Sequence, residues 1–298
     1  MKKQTRLYYL TGASGRIGKA ITKYLEIAGH DVVPVNIQYK EIPFSVKESF
    51  KIQLGNKRKE SRGPEYFIHC ASSTPDNTLE KSLIYPSNLK LANTVKEFVR
   101  NNLNVRNFFN CSSMSTYGQI RTNVVDEETT PCNPDGYGLS KLHSEEIFND
   151  LTNEDMSVVH FRLPGVVCKN MTGNFISRLA NSVRKRSEDF KANKCNAQFN
   201  NIVYPNDIAG FIEYLNSKDR LKSYSNRMYV LAANQPITIS QVVKQICDYY
   251  GEVNWEKYTN QRENQDRGFI INAEKARNDG FSPKSTSEVL AECLLSFG

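Results

Sequence analysis

Tyr137 and Lys141 are the two residues whose types and spacing point most directly to chemistry. They stand four residues apart in Tyr-Gly-Leu-Ser-Lys, so on a helix they lie on one face, one turn apart. A lysine ammonium in that place lowers the cost of forming tyrosinate, and the phenol can then exchange a proton with an alcohol or carbonyl near neutral pH. Because Tyr-x-x-x-Lys also occurs often by chance, this interpretation needs support from the surrounding sequence.

A group of serines supplies part of that support. The run Cys-Ser-Ser-Met-Ser-Thr-Tyr-Gly at 111–118 follows the apolar pair Phe108-Phe109, which has the character of a buried strand. Residues just past the carboxyl end of a parallel strand face the ligand crevice of a doubly wound sheet. A serine hydroxyl there can hydrogen-bond a substrate oxygen beside the tyrosine. The alternative, in which the serines only satisfy the backbone of a turn, stays open for two of the three.

A third motif, Thr-Gly-Ala-Ser-Gly-Arg-Ile-Gly at 11–18, lies between an apolar stretch and a segment of helical periodicity. In that context Gly12 permits a tight turn, Gly15 lets the backbone approach a pyrophosphate, and Gly18 lets the helix pack on the sheet. The helix N-terminus then offers free N–H groups and its positive dipole end to phosphates. A tight strand-to-helix turn without a ligand is the alternative.

The elements that must position these motifs alternate between strand and helix, the pattern of a parallel sheet covered on both faces. The predicted strands are Leu7–Leu10, Val32–Val35, Tyr66–Cys70, Asn107–Cys111 and Val158–Leu163. The predicted helices between them span 16–28, 88–102 and 138–152. Pro34 is unexpected inside a strand because it cannot donate to the ladder. The polar segment 40–63 is either a short helix with a weak strand or mostly loop.

The regular alternation of predicted strands and helices ends after Pro164. We therefore expect a cofactor domain over 1–165 and a smaller α/β substrate lobe over 166–298. Helices are predicted at Asn174–Val183, Asp207–Leu215 and Ile239–Tyr250, with a short strand at Ile202–Tyr204. Some of these later segments are expected to return to the large sheet.

The composition is that of an ordinary globular protein and excludes several classes. The chain has 298 residues, 39% hydrophobic and 24% charged, with a formal charge of +7 that is spread along the sequence without a nucleic-acid motif. The apolar runs are too short to span a bilayer, and the basic N-terminus lacks a signal-peptide core, so a cytoplasmic location is expected. Seven scattered cysteines without metal-ligand spacing indicate reduced thiols and neither a metal site nor a disulfide framework.

Taken in order along the chain, these motifs resemble the extended short-chain dehydrogenase/reductases, specifically the NAD-dependent epimerase/dehydratase family that acts on nucleotide sugars. Further matching segments are His-Cys-Ala at 69–71, Arg-Leu-Pro-Gly at 162–165, and Val-Tyr-Pro-Asn-Asp-Ile-Ala at 203–209, which is similar to the family's "HVDDLA" element. The resemblance covers nearly the whole chain. It implies a Rossmann-type doubly wound sheet, NAD or NADP as cofactor, a nucleotide-sugar substrate, and a homodimer formed through helices 88–102 and 138–152.

The resemblance also implies roles for individual residues. Tyr137 would be the general acid/base, Lys141 would bind the nicotinamide ribose and lower the tyrosine pKa, and Ser113 would be the catalytic serine. Asn174 and Arg262 would hold the substrate's diphosphate. The implied cofactor-binding residues, with Tyr137 and Lys141, are Gly12, Gly15, Arg16, Ile17, Gly18, Asn36, Cys70, Ala71, Ser72, Asn88 and Pro164.

Departures from the family pattern bear on specificity. Asn36 stands where NAD-specific members have an aspartate for the adenosine ribose, and Lys40 is a candidate partner for a 2′-phosphate, so NAD and NADP both stay open. Met114-Ser115 replaces the Asp-Glu pair of the sugar 4,6-dehydratases, which argues against dehydration. Asn200 stands where many epimerases have a substrate-binding arginine; Arg184 and Arg186 are candidates to compensate.

Three functions remain open at the level of the sequence. The leading one is an NAD(P)-dependent epimerase or ketoreductase of a nucleotide-activated sugar. The second is a reductase or isomerase of a non-nucleotide carbonyl compound, favoured by the incomplete set of arginines and opposed by Arg262. The third is a non-catalytic nicotinamide-binding sensor, which the intact set of Ser113, Tyr137 and Lys141 disfavours.

Overall fold

A computed structural model describes residues 5–38, 51–55, 65–75, 80–153, 155–167, 171, 173–217, 221, 226–260 and 268–295. The strands are β1 (Leu7–Thr11), β2 (Asp31–Gln38), β3 (Lys51–Leu54), β4 (Glu65–His69), β5 (Val105–Ser113), β6 (Val124–Val125), β7 (Ser157–Leu163), β8 (Gly165–Val166), β9 (Gln198–Phe199), β10 (Ile202–Val203), β11 (Asn226–Val230), β12 (Ile237–Thr238) and β13 (Ile270–Ile271). The helices are α1 (Arg16–Ile27), α2 (Ile84–Asn102), α3 (Gly136–Asn149), α4 (Phe175–Arg184), α5 (Pro205–Ser217), α6 (Ile239–Tyr249), α7 (Glu274–Asn278) and α8 (Thr286–Leu295).

The centre of the fold is a seven-stranded sheet in the order β11-β7-β5-β4-β1-β2-β3. Strand β1 pairs in parallel with both β2 and β4, and β4 pairs in parallel with β5. Every residue of β1 is buried, as expected for a strand covered on both faces. From β1 the chain runs outward to β2 and β3 on one side and to β4, β5 and β7 on the other. The carboxyl ends of β1 and β4 therefore meet at a topological switch point, where doubly wound sheets bind ligands.

The predicted α/β sheet is confirmed, and its details differ in physically explicable ways. Pro34 lies inside β2, where its carbonyl accepts from the Gly55 amide at 2.9 Å, just past the last paired residue of β3. The N–H that Pro34 lacks is therefore missing at the end of the hydrogen-bond ladder between β2 and β3. Within the segment predicted as ambiguous, Lys51–Leu54 forms a strand antiparallel to β2 and Gly55 follows it; the other residues of the segment lie outside the described ranges.

Helices α2 and α3 both begin earlier than the sequence predicts. Helix α2 starts at Ile84 because Pro86 falls in its first turn, where a proline is tolerated. Helix α3 starts at Gly136 because the Asp135 side chain caps it, accepting from the Gly138 amide at 2.7 Å. This cap determines where Tyr137 enters the helix.

The chain divides into two compact units. The first comprises Met1–Gln119, Pro131–Arg162 and Ala209–Tyr229, and the second comprises Ile120–Thr130, Leu163–Ile208 and Val230–Gly298. The predicted boundary at 165 lies close to the end of β7. However, Ile120–Thr130, which precedes the boundary, belongs to the second unit, and Ala209–Tyr229, which follows it, belongs to the first. In particular, β11, which the sequence analysis did not identify, is an edge strand of the large sheet.

The second unit has its own core. Helices α4, α6 and α8 contribute Leu179, Ile246 and Leu290 to it, all fully buried. Three two-stranded pairings, β8 with β10, β9 with β12, and β6 with β13, complete the unit. Among the described residues, no helix has the length and apolar character needed to cross a bilayer.

Candidate active site in the first unit

The turn between β1 and α1 is closely packed on one side and open on the other. Gly12 has a φ of +71°, and a Cβ there would come within 2.8 Å of the Ala71 amide nitrogen. A Cβ at Gly18 would overlap the Gly12 carbonyl oxygen, so α1 can pack on the turn only through a glycine. Gly15, by contrast, is an exposed N-cap, and no side chain caps α1. The N-terminus of α1 is thus available to an anion, with Arg16 exposed and Ile17 half-buried beside it.

The floor next to this turn is formed where β4 ends. Thr11 Oγ1 lies 2.8 Å from His69 Nδ1 and accepts from the Cys70 amide at 3.2 Å. Burial lowers the pKa of His69 to about 3, so its imidazole stays neutral at physiological pH and serves as a hydrogen-bonding link. Cys70, Ala71 and Ser72 follow as half-buried chain without regular secondary structure. The residues predicted to run under a cofactor therefore adjoin the glycine turn.

Asn88 is part of the framework beneath this floor. Its side chain is 3% exposed; Oδ1 accepts from the Ser73 amide at 2.8 Å, and Nδ2 donates to the Ser73 carbonyl at 3.1 Å and to Ser140 Oγ at 2.9 Å. Ser72 Oγ also donates to Oδ1 at 3.3 Å. The Asn88 side chain thus connects α2 to the 72–73 segment and to α3. The contact of Asn88 with a cofactor stays a prediction; the structure shows that Asn88 holds the 72–73 segment in place.

Ser113 and Tyr137 are brought together by the packing of α3 on the turn after β5. Ser113 caps the short 3₁₀ helix Met114–Tyr117, accepting from the Ser115 amide at 3.1 Å. A Cβ at Gly138 would overlap the Ser115 carbonyl oxygen, so only glycine lets α3 approach so closely. The Tyr137 hydroxyl consequently lies near the side chains of Ser113 and Ser72, which favour the ionised form of the phenol.

Lys141 is buried one turn beyond Tyr137, with Nζ donating to the Cys111 carbonyl at 2.8 Å. Desolvation lowers the pKa of Lys141, while the nearby Cys111 and Glu145 side chains oppose that shift. The pKa of Tyr137 is raised, because burial outweighs the opposing effect of Ser113 and Ser72. The sequence predicted that Lys141 would lower the tyrosine pKa. That effect stays a prediction for the reacting complex; in the free protein, desolvation of the phenol is the largest influence and the net direction is upward.

A buried ion pair that the sequence analysis did not identify supports this arrangement. Arg162 donates from Nε and Nη2 to the two oxygens of Glu145, at 3.1 and 2.7 Å, and both side chains are 4–5% exposed. Ser112 Oγ donates to the same carboxylate, and the Arg162 guanidinium lies 4.7 Å from the Tyr117 ring centre. The position of Glu145, one further turn after Lys141 on the same face of α3, is the signal that could have found it.

The remaining predicted cofactor residues are Asn36 and Pro164. Asn36 is exposed on β2 opposite Gln53 of β3, and its suggested partner Lys40 lies outside the described residues. Pro164 belongs to the second unit, between β7 and β8.

The predicted substrate residues fall in the second unit. Asn174 caps α4, with Oδ1 accepting from the Ser177 amide at 2.9 Å. Asn200 is 3% exposed, and among the described residues its side chain bonds to backbone groups: it donates to the carbonyls of Ala233 and Ile271 at 3.3 and 2.8 Å and accepts from the Ile271 amide at 2.9 Å. Arg262 lies outside the described residues. The described residues bring together no His, Cys, Asp and Glu cluster that could hold a metal ion.

Comparisons with known proteins agree with this architecture. The model of the NAD dependent epimerase/dehydratase family matches residues 8–230, while curated protein sequences gave no match. The UDP-Glc/GlcNAc 4-epimerase from Campylobacter jejuni superposes with a TM-score of 0.72 at 15% identity, covering 98% of both chains.

Two further solved structures are similar. The UDP-glucose 4-epimerase from Bifidobacterium longum, in complex with NAD⁺ and UDP, has a TM-score of 0.69 at 17% identity over 98% of this chain and 97% of that one. RMD from Pseudomonas aeruginosa, complexed with NADPH, has a TM-score of 0.71 at 19% identity over 98% of both. Identities this low show a shared fold, and the family model, which spans about three quarters of the sequence, decides the affiliation. The chain belongs to the NAD-dependent epimerase/dehydratase family of extended short-chain dehydrogenase/reductase enzymes.

Proposed function

We propose that the protein is an NAD(P)-dependent epimerase or ketoreductase of a nucleotide-activated sugar. The observation that carries the proposal is the proximity of the Tyr137 hydroxyl to Ser113, one helical turn from the buried Lys141 and in the same unit as the glycine turn. A glycine turn by itself would indicate only that a cofactor is bound, and it provides no group for proton transfer. A phenol held between two serines beside a buried ammonium suits proton transfer to or from a sugar hydroxyl.

The first unit has features that suit a dinucleotide. The open N-terminus of α1 suits a pyrophosphate, and the segment Cys70–Ser72, against which Gly12 packs, suits the adjoining part of the cofactor. When bound, the nicotinamide would accept or supply the hydride. Exposed Asn36 has no charge to repel a 2′-phosphate, so the proposal covers both NAD and NADP.

Each member of the catalytic set has a proposed task. Tyr137 holds and releases the proton of the sugar hydroxyl, and Ser113 orients that oxygen by hydrogen bonding. Lys141 adds positive charge near the phenol and is the proposed partner of the nicotinamide ribose. Because burial raises the pKa of Tyr137 in the free protein, its role as a base requires added positive charge or hydrogen bonds in the reacting complex.

The substrate class is proposed from the family and from the neighbours, several of which are named for UDP-sugars. Asn174 and Arg262 are the proposed diphosphate ligands. Dehydration is not proposed, because Met114 and Ser115, next to Ser113, provide no carboxylic acid or base for eliminating water.

One observation favours a second candidate, a reductase of a non-nucleotide carbonyl compound. Asn200 stands where many family members have a substrate-binding arginine, and its buried amide is bonded to the backbone of Ala233 and Ile271. It therefore offers no cationic group to a diphosphate.

Binding of NAD⁺, NADH, NADP⁺ and NADPH, measured by calorimetry on protein cleared of co-purified nucleotide, tests the proposal first. UDP-glucose and UDP-N-acetylglucosamine follow, with product analysis for sugar epimers. Tightly retained NAD⁺ together with epimer formation supports an epimerase, and exchangeable NADPH supports a reductase. Binding of none of the four cofactors overturns the proposal. Cofactor binding without any binding of UDP-sugars favours the second candidate.

A further inference from the structure

Two cysteines meet at the carboxyl ends of neighbouring strands. His69 of β4 and Asn110 of β5 are partners in the parallel ladder, and Cys70 and Cys111 follow them directly. Their sulfur atoms lie 3.4 Å apart, within hydrogen-bonding distance of two thiols. Adjacent, in-register residues of paired strands have a Cα separation of about 5 Å, which a disulfide can span. A modest approach of the two sulfurs would thus be enough to join them.

The two thiols have different environments. Cys111 is 6% exposed, and its pKa is lowered, because its thiolate can accept a hydrogen bond from Cys70 and lies near the Lys141 ammonium. Donation of that hydrogen bond, with burial, raises the pKa of Cys70, which is half-buried. The sulfur of Cys111 therefore has the greater thiolate character, and Cys70 is the neighbouring thiol that can resolve an oxidised Cys111.

We propose that Cys70 and Cys111 form an oxidation site at which a hydroperoxide creates an intramolecular disulfide. The Cys111 thiolate attacks one peroxide oxygen, so an S–O bond forms, the O–O bond breaks, and hydroxide leaves and takes up the proton as water. Cys70 then attacks the sulfenic sulfur, the S–S bond forms and a second water leaves. Two thiols are oxidised by two electrons in total, and one hydrogen peroxide is reduced to two waters.

Formation of this bond changes the floor of the candidate active site. Gly12 packs against the Cys70–Ala71 peptide, and the Cys111 carbonyl accepts the hydrogen bond from Lys141. The disulfide replaces the contact between two thiols with a covalent link that constrains both of these backbone segments. Oxidation is therefore expected to weaken nicotinamide binding at least tenfold, and bound cofactor is expected to slow oxidation. These two effects rest on the proposed function, whereas the chemistry of the thiol pair does not.

The test uses the full chain treated with hydrogen peroxide at low molar excess, then unfolded and digested without reductant. We expect the seven titratable thiols to fall by two and mass spectrometry to find one linkage, between the peptides that contain Cys70 and Cys111. Half-buried Cys132 and Cys195 provide matched controls, because Cys132→Ser and Cys195→Ser should leave the linkage unchanged. Oxidation confined to other cysteines, or thiol loss without this linkage, overturns the proposal.

Single variants separate the two steps. In Cys70→Ser a sulfenic acid should accumulate on Cys111 and be trapped by a cyclic 1,3-diketone probe, whereas Cys111→Ser should leave Cys70 largely unreacted. The reverse pattern contradicts the assigned order of attack. Calorimetry on reduced and oxidised protein then measures the effect on cofactor binding. If reduced protein binds no cofactor, the proposed function fails while the linkage result still decides the oxidation site.

Discussion

Glu145 on α3 and Arg162 on β7 form a two-point ion pair, 2.7 Å at its shorter contact, with both side chains almost completely buried. The same carboxylate accepts the Ser112 hydroxyl, next to Ser113. The pair therefore links the helix that carries Tyr137 and Lys141 to two strands of the sheet.

Removing one partner should be strongly destabilising. Glu145→Ala is expected to lower the free energy of unfolding by about 3–5 kcal/mol, because it leaves the Arg162 guanidinium buried and uncompensated. Urea denaturation measures this. The control is Glu97→Ala, which breaks an exposed 3.4 Å pair with Arg100 and should change stability by less than about 1 kcal/mol. Similar losses for the two variants would show that the buried pair has no special structural role.

The glycine turn allows stability and cofactor binding to be separated. Gly12→Ala is expected to destabilise the protein by at least about 1–2 kcal/mol, because alanine is strained at a φ of +71° and its Cβ meets the Ala71 amide. Gly15→Ala should cost about 1 kcal/mol or less, since its Cβ meets only the Gly12 carbonyl, at 3.1 Å. The same variant should reduce nicotinamide affinity at least tenfold. Unchanged affinity in Gly15→Ala would argue against a pyrophosphate at this turn.

Tyr137 should be required for turnover and dispensable for folding. Tyr137→Phe is expected to reduce turnover by about 10²–10⁴-fold, the range for losing a general acid/base, while the thermal unfolding midpoint stays nearly constant. Tyr249→Phe, at an exposed tyrosine, is the matched control. A turnover within threefold of the unmodified protein would exclude Tyr137 as the proton donor and acceptor.

The ionisation of Tyr137 can be observed directly. Because burial raises its pKa above the ordinary 10.0, cofactor-free protein and Tyr137→Phe should show the same tyrosinate absorbance at pH 7–8. An absorbance difference between them near pH 7–8 would mean that Lys141 already lowers the phenol pKa in the free protein.

Asp207 gives the second unit a pH-dependent stability. Burial raises its pKa to about 6 from an ordinary 3.8, against the opposing hydrogen bond from the Lys284 amide. The folded state therefore binds this proton more tightly than the unfolded state, and the resulting stabilisation is present below pH 4 and is lost as the pH rises to 6. Asp207→Asn keeps the acceptor oxygen and removes the ionisation.

Urea denaturation of both proteins at pH 4.5 and 7.5 checks this sign. From pH 4.5 to pH 7.5, the free energy of unfolding of Asp207→Asn should rise by about 1–2 kcal/mol relative to that of the native sequence. This figure is reduced for the partial exposure of Asp207. Asp189→Asn, at an exposed carboxylate, provides the reference for removing a surface charge. A difference between the two proteins that is independent of pH would contradict the raised pKa.

The sequence predicted most of the large sheet because its signals are local. Continuous apolar runs, glycines before a helix and a capping aspartate act within a few residues of one another. Strand β11 was not predicted because Asn226–Val230 is recruited to the sheet by β7, more than sixty positions earlier in the chain. The hydrogen bonds that join Asn88 to Ser73 and Ser140 were not predicted either, because these partners lie 15 and 52 positions away in the chain.

By itself the sequence determined the family, the glycine turn and the helical spacing of Tyr137 and Lys141, since each depends on residue types at short fixed distances. Only the tertiary structure decided the electrostatics of the site. The pKa of Tyr137 depends on how completely α3 is buried, and the contact between Cys70 and Cys111 depends on the register of two strands. Desolvation and strand register arise from residues far apart in the chain, so no local pattern contains them.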